Sequence, residues 1–137
     1  MSELERGKYP GMRSTEVVVW RRWLALHESE YEHYDYNVRL GVGRDPGAAF
    51  TEPIRKSAIM SSQLRADVIA WQGGVPTIIE VKKSAWAYAV QQVQQYGAVY
   101  VLEHPGIAAP HLLIVTGRVM EGTSETAANA NVALVTV

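Results

Sequence analysis

Apolar and polar positions change period several times along the chain, and each change marks an element. The stretch EVVVWRRWLALHESE, residues 16–30, repeats at helical spacing, with Val17, Trp20, Leu24 and His27 on one stripe and Val18, Arg21, Arg22 and Ala25 off it. Ser14 or Thr15 supplies its N-cap, and the Trp20–Trp23 cluster is expected to pack on a sheet. Residues 31–42 alternate instead. Tyr34, Tyr36, Val38 and Leu40 fall on one side of a strand, and His33, Asp35, Asn37 and Arg39 on the other. RADVIAWQ and VPTIIEVKK, joined through Gly73 and Gly74, read as a hairpin. Ser84 is placed to cap a helix over 85–103, whose buried face would hold Trp86, Ala89, Val90, Val93, Gly97, Tyr100 and Val101. Gly97 weakens that helix unless close packing offsets the loss, which predicts tight contact with the sheet. HLLIVTGRV, 111–119, is almost continuously apolar, as a buried parallel strand is. A right-handed crossover sets it in the middle of the sheet, parallel to the Glu80 strand. A short helix from Ser124 and an edge strand over 131–137 complete the pattern.

Two segments lack a clear period. Residues 1–13, broken by Gly7, Pro10 and Gly11, read as a mobile or loosely docked arm ahead of one domain over 14–137. Residues 43–64 are long for a connection between neighbouring strands. Thr51 and Pro53 suit the start of a helix over 52–62. Arg44, Arg55, Lys56 and Arg65 suit a flap over a groove, Ile54, Ile59 and Met60 suit a dimer contact, and a helix packed on the sheet edge fits equally.

Composition narrows the class. The 137 residues, 47% of them hydrophobic and 20% charged, are enough for one core and carry no long biased tract. No apolar run is long enough to span a bilayer, and the polar start is unlike a signal peptide, so a cytoplasmic location with no membrane partner is expected. With no cysteine, disulfides and zinc–thiolate sites are excluded. The net charge of −1 counts against tight nonspecific duplex binding but leaves room for a local basic patch.

The chemistry sits in the hairpin. Asp67 lies in its first strand and Glu80 and Lys82 in its second, amid apolar neighbours where charge is expensive to bury unless paired or bound to a metal. Glu80 and Lys82 are two apart and share a face, and the hairpin brings Asp67 next to them. Two close carboxylates attract a hard divalent cation such as Mg²⁺ or Mn²⁺. A buried ion pair that only specifies the fold is the plainer explanation of the same spacing.

Asp67, twelve residues, then Glu80-Val81-Lys82 resembles the D…E-x-K motif of the PD-(D/E)XK nuclease superfamily, with Ala66 where a proline is usual. Gln92-Val93-Gln94-Gln95-Tyr96 resembles the Q-x-x-x-Y element of its RecB-like branch. The resemblance covers the order of elements over roughly residues 14–119. It implies an α/β (α+β) fold with a restriction-endonuclease-like αβββαβ core, a mixed sheet flanked by helices. It further implies a Mg²⁺-dependent deoxyribonuclease acting on DNA, working as a homodimer or within a larger nuclease complex. Asp67 and Glu80 would hold the metal with the Val81 carbonyl, and Lys82 would orient water and stabilise charge. Gln92 would orient a ligand or water, with Gln91 and Gln95 as substitutes, and Tyr96 would support it. Glu16 has two explanations. It is a metal ligand by the resemblance, or a first-turn acid favoured by the helix dipole. A non-catalytic nucleic-acid-binding or assembly subunit on the same fold, of a phage or mobile-element kind, is the alternative.

Overall fold

The computed structural model describes residues 2–137, apart from the side chain of Ser61. Its helices are α1 (Glu3–Arg6), α2 (Ser14–His27), α3 (Glu52–Ser62), α4 (Tyr88–Glu103) and α5 (Thr123–Asn129). Its strands are β1 (His33–Leu40), β2 (Leu64–Gln72), β3 (Val75–Lys82), β4 (His111–Thr116) and β5 (Ala133–Thr136). The five strands form one mixed sheet in the order β1-β2-β3-β4-β5. The first three make an antiparallel meander, and β4 and β5 add in parallel. Gly73 and Gly74, both at positive φ (57° and 77°), close the β2–β3 hairpin, a turn conformation that L side chains resist.

Helices cover both faces of the sheet. On one face α4 buries Ala89, Val90, Val93, Tyr96 and Tyr100 against Ile69, Ile78 and Ile114. Gly97 lets the helix approach closely: a Cβ there would lie 3.0 Å from Leu112 Cδ2. On the other face α2 buries Val19, Trp20, Trp23 and Leu24 against Val68, Ile79, Val81 and Val115. Trp20 and Trp23 stack with ring centroids 4.8 Å apart.

Several expectations need correction. The strand over 31–42 does not keep one face. Tyr34 and Tyr36 join the α2 core, while Val38 and Leu40 join the α4 core. Asn37 between them has φ of 52°, and that left-handed residue breaks the alternation. Ser84 does not cap α4, which starts at Tyr88 with Ala87 as N-cap. The preceding Ala85 instead bridges to Val119, and its N–H donates to Arg118 O at 2.8 Å. Trp86, left ahead of the helix, and Val101, in its last turn, are about half exposed rather than buried. β4 ends at Thr116, three residues earlier than its apolar run, where the Thr116 hydroxyl donates to Arg118 O at 3.0 Å and accepts the Arg118 N–H at 3.3 Å, closing a turn.

Residues 2–13 are held against the domain. Leu4 N–H donates to Glu28 Oε1 at 2.8 Å, Arg21 Nη1 donates to Leu4 O at 2.7 Å, and Tyr9 is buried in the α2 core. Residues 43–64 fold largely on themselves. Arg55 pairs with Asp45 at 2.6 Å, Arg44 N–H donates to Ser62 Oγ at 2.5 Å, and α3 buries no side chain among its described residues. Phe50 and Ile54 stay about half exposed. Among the described residues no helix is long and apolar enough to cross a membrane.

Candidate active site

Sheet pairing places the site. The β2–β3 ladder runs from Gln72 opposite Val75 to Val68 opposite Ile79 and stops there. The β1–β2 ladder continues to Leu40 opposite Leu64. The far ends of β1 and β2 therefore leave β3 together, as a two-stranded ribbon. The departure begins at Asp67, whose position in register is opposite Glu80, and its β1 counterpart is the left-handed Asn37. On the other side β3 stays paired with β4 as far as Lys82 opposite Thr116. A notch opens between β2 and β3. Asp67 fills its floor: Oδ2 accepts the Val81 N–H at 2.8 Å, taking the bond that the departing strand no longer offers.

Glu80 stands across the notch and is only 3% exposed. Burial raises its carboxyl, and the neighbouring Asp67 carboxylate adds to the shift, so that it titrates at about 9; Lys82 and the Tyr96 hydroxyl oppose this. Its Oε2 is buried and has no hydrogen-bond partner. Burial and the Glu80 carboxyl likewise push the Tyr96 hydroxyl upward. The four residues expected to converge from β2, β3 and α4 thus do: Asp67, Glu80, Lys82 and Tyr96 act on one another electrostatically.

Lys82 Nζ lies 5.6 Å from the centre of the Tyr88 ring, a cation–π placement that ties the lysine to the first turn of α4. Sequence reasoning missed Tyr88. Its one signal is an aromatic at the start of the helix that follows E-x-K. Gln92 lies one turn before Tyr96 with its Oε1 buried and unpartnered, while Gln91, Gln94 and Gln95 are exposed. That separates Gln92 from its substitutes.

Glu16 is elsewhere. Its Oε1 accepts the Arg13 N–H at 2.9 Å and closes the cap of α2. Among the described residues no three histidine, aspartate or glutamate side chains gather in a metal-holding group. Of the two explanations for Glu16, this bond supports the helix-end one: its carboxylate satisfies an amide at the start of α2. Val81 meets the site through its backbone, its side chain being buried in the α2 core. Lys83 is exposed on the face opposite Lys82.

No family model and no curated protein matches the chain. A solved structure described as a protein of unknown function, AF1548, is similar in fold, with a TM-score of 0.51 at 15% sequence identity. The similarity covers 88% of this chain, which spans 57% of that protein. At that identity the likeness concerns the fold alone.

Proposed function

We propose that this chain is a metal-dependent nuclease of the PD-(D/E)XK kind that hydrolyses DNA phosphodiester bonds in the β2–β3 notch. One observation carries the reading. A buried carboxyl, Glu80, keeps an unpartnered oxygen beside a second carboxylate, Asp67, where strand pairing ends. Buried acids without partners are costly, and a cation between the two removes that cost. Oxygen-only donors suit Mg²⁺ or Mn²⁺. Asp67 and Glu80 would hold the ion, with the Val81 carbonyl as a further oxygen. When bound, such an ion acidifies water and neutralises charge at a phosphate.

The chain's own groups do the remainder. Glu80 holds a proton until a cation competes for its oxygens. Lys82, steadied by the Tyr88 ring, orients a water or a phosphate oxygen and stabilises developing negative charge. Tyr96 packs beside Glu80, and the free carbonyl of Gln92 offers an acceptor for a water. Changing Asp67, Glu80 or Lys82 to Ala should abolish Mg²⁺-dependent cleavage of DNA in a folded protein. Cleavage retained in all three would end the proposal.

A pair of carboxylates, Asp67 and Glu80, in a chain of net charge −1 also suits one alternative, a non-catalytic nucleic-acid-binding or assembly subunit. Such a subunit would give no Mg²⁺ or Mn²⁺ heat in calorimetry, and Glu80→Ala would change nothing in that titration.

A further inference from the structure

Four strands end on the same side of the sheet as the notch, and each carries a cation there. In spatial order these are Arg39 near the end of β1, Arg65 at the start of β2, Lys83 just past β3 and Arg118 just past β4. Arg39 and Arg65 sit directly opposite one another across the ladder. Like charges in that relation repel. Their neighbours Val38, Leu40, Leu64 and Ala66 all belong to the α4 core, so the two arginines face the other side. On that same side Lys83 and Arg118 line a cavity of about 360 Å³ with Arg22 of α2, Thr15 and Ser84, and no carboxylate lines it. Among the described residues none of these five cations has an ion-pair partner. All five are exposed. In a chain of net charge −1, such a row is not a consequence of general basicity.

We infer that this row is a track for the sugar–phosphate backbone of one nucleic-acid strand, running across the strand ends with the notch at its middle. The inference rests on the nuclease reading for what happens in the notch, and not for binding. Paired strands lie about 4.8 Å apart, so β1 and β2 hold Arg39 and Arg65 about one strand spacing apart, β3 and β4 do the same for Lys83 and Arg118, and the opened notch separates the two pairs. The notch lies between β2 and β3, hence between Arg65 and Lys83. The cations line the α2 side of the rim formed by these strand ends and Glu80 and Lys82 its α4 side, so a strand lying along the rim is anchored on both flanks of the notch. Unpaired cations release counterions when they meet phosphates, which makes such binding salt-dependent. Backbone contacts position the strand without reading bases.

The test is binding of a labelled single-stranded DNA oligonucleotide in EDTA, where no cleavage occurs. Arg65→Ala, Lys83→Ala and Arg118→Ala should each weaken binding about 3- to 10-fold and flatten the salt slope by about 0.7. Arg118→Lys and Lys83→Arg should restore most of it, and His111→Ala, at the opposite end of β4, should leave it unchanged. Thermal unfolding of each variant checks the fold, and Arg118→Lys and Lys83→Arg decide if an alanine variant does not fold. Binding equal to wild type in all three overturns the track, as does an unmodified protein that binds no oligonucleotide, or one that binds inorganic phosphate in the Arg22–Lys83–Arg118 cavity without competition from DNA. If the row governs binding but no variant or wild type cleaves with Mg²⁺, the nuclease reading falls and the track stands. If cleavage persists in row variants with KM unchanged, the track falls and the nuclease reading stands.

Discussion

Asp67 Oδ2 accepts the backbone N–H of Val81 at 2.8 Å, just beyond Val68 and Ile79, the last backbone pair between their strands. The side chain thereby does two things at once. It satisfies an amide that strand separation leaves open, and it sets a carboxylate beside Glu80. The two roles can be separated. Asp67→Asn keeps an acceptor for Val81 and should unfold within about 0.5 kcal/mol of wild type, whereas Asp67→Ala leaves a part-buried amide unpaired and should lose about 1–3 kcal/mol. Both should reduce Mg²⁺-dependent cleavage by about 100-fold or more, as loss of a group at the reacting centre does. Urea unfolding together with plasmid cleavage checks this. Equal stability of the two variants would refute the backbone role.

Glu80 links stability to pH. In the folded protein it keeps its proton to about 9, against an ordinary value of 4.5. Between those values the folded state binds the additional proton, so stability falls as pH rises through the window. Metal-free protein should show a urea midpoint that decreases from pH 5 to pH 9. Glu80→Gln should flatten that trend and be the more stable form at the alkaline end. A wild-type midpoint that rises over the range would contradict the burial argument.

The same carboxyl must give up its proton to a cation. Titration with Mg²⁺ or Mn²⁺ at pH 7 should release close to one proton, read from calorimetric heats in two buffers of different ionisation enthalpy. Glu80→Gln should release none. Metal binding without buffer-dependent heat would place the ion away from Glu80.

Asn37 sits at φ 52° where the ribbon bends away from β3, and Gly11 packs so closely on it that a Cβ there would fall 2.7 Å from Asn37 Oδ1. A β-branched residue resists that backbone conformation. Asn37→Val should destabilise by about 1–3 kcal/mol and lower cleavage by altering the notch. Asn37→Gly should retain most of both. Thermal unfolding and cleavage rates of the two variants decide whether the bend depends on this residue.

Gly97 tests the packing of α4 on the sheet. Gly97→Val would drive a branched side chain into Leu112, whose Cδ2 already lies 3.0 Å from an added Cβ, and should lose about 1–3 kcal/mol. Gly97→Ala should be nearly neutral, since improved helix propensity offsets a contact with the flexible end of Leu112. Chemical denaturation of the pair measures this, and a stabilised Val variant would show that the approach is not tight.

Periodicity by itself determined the mixed sheet flanked by helices, the hairpin through Gly73–Gly74, and the gathering of Asp67, Glu80 and Lys82, while Tyr96 was legible through the resemblance of its helix to a Q-x-x-x-Y element. Those features follow from rules that act over a few residues: alternation along a strand, helical spacing, and the positive φ that glycine accepts. The tertiary structure alone decided the rest. It set the left-handed turn at Asn37 that splits β1 between two cores, the use of Glu16 as a helix cap, the start of α4 at Tyr88, and the contact of Tyr88 with Lys82. It also aligned the cations of four strand ends, which lie far apart in the chain. These depend on which backbone groups lose their partners when the β1–β2 ribbon leaves β3, and that is settled only once all the strands compete for hydrogen bonds in one sheet.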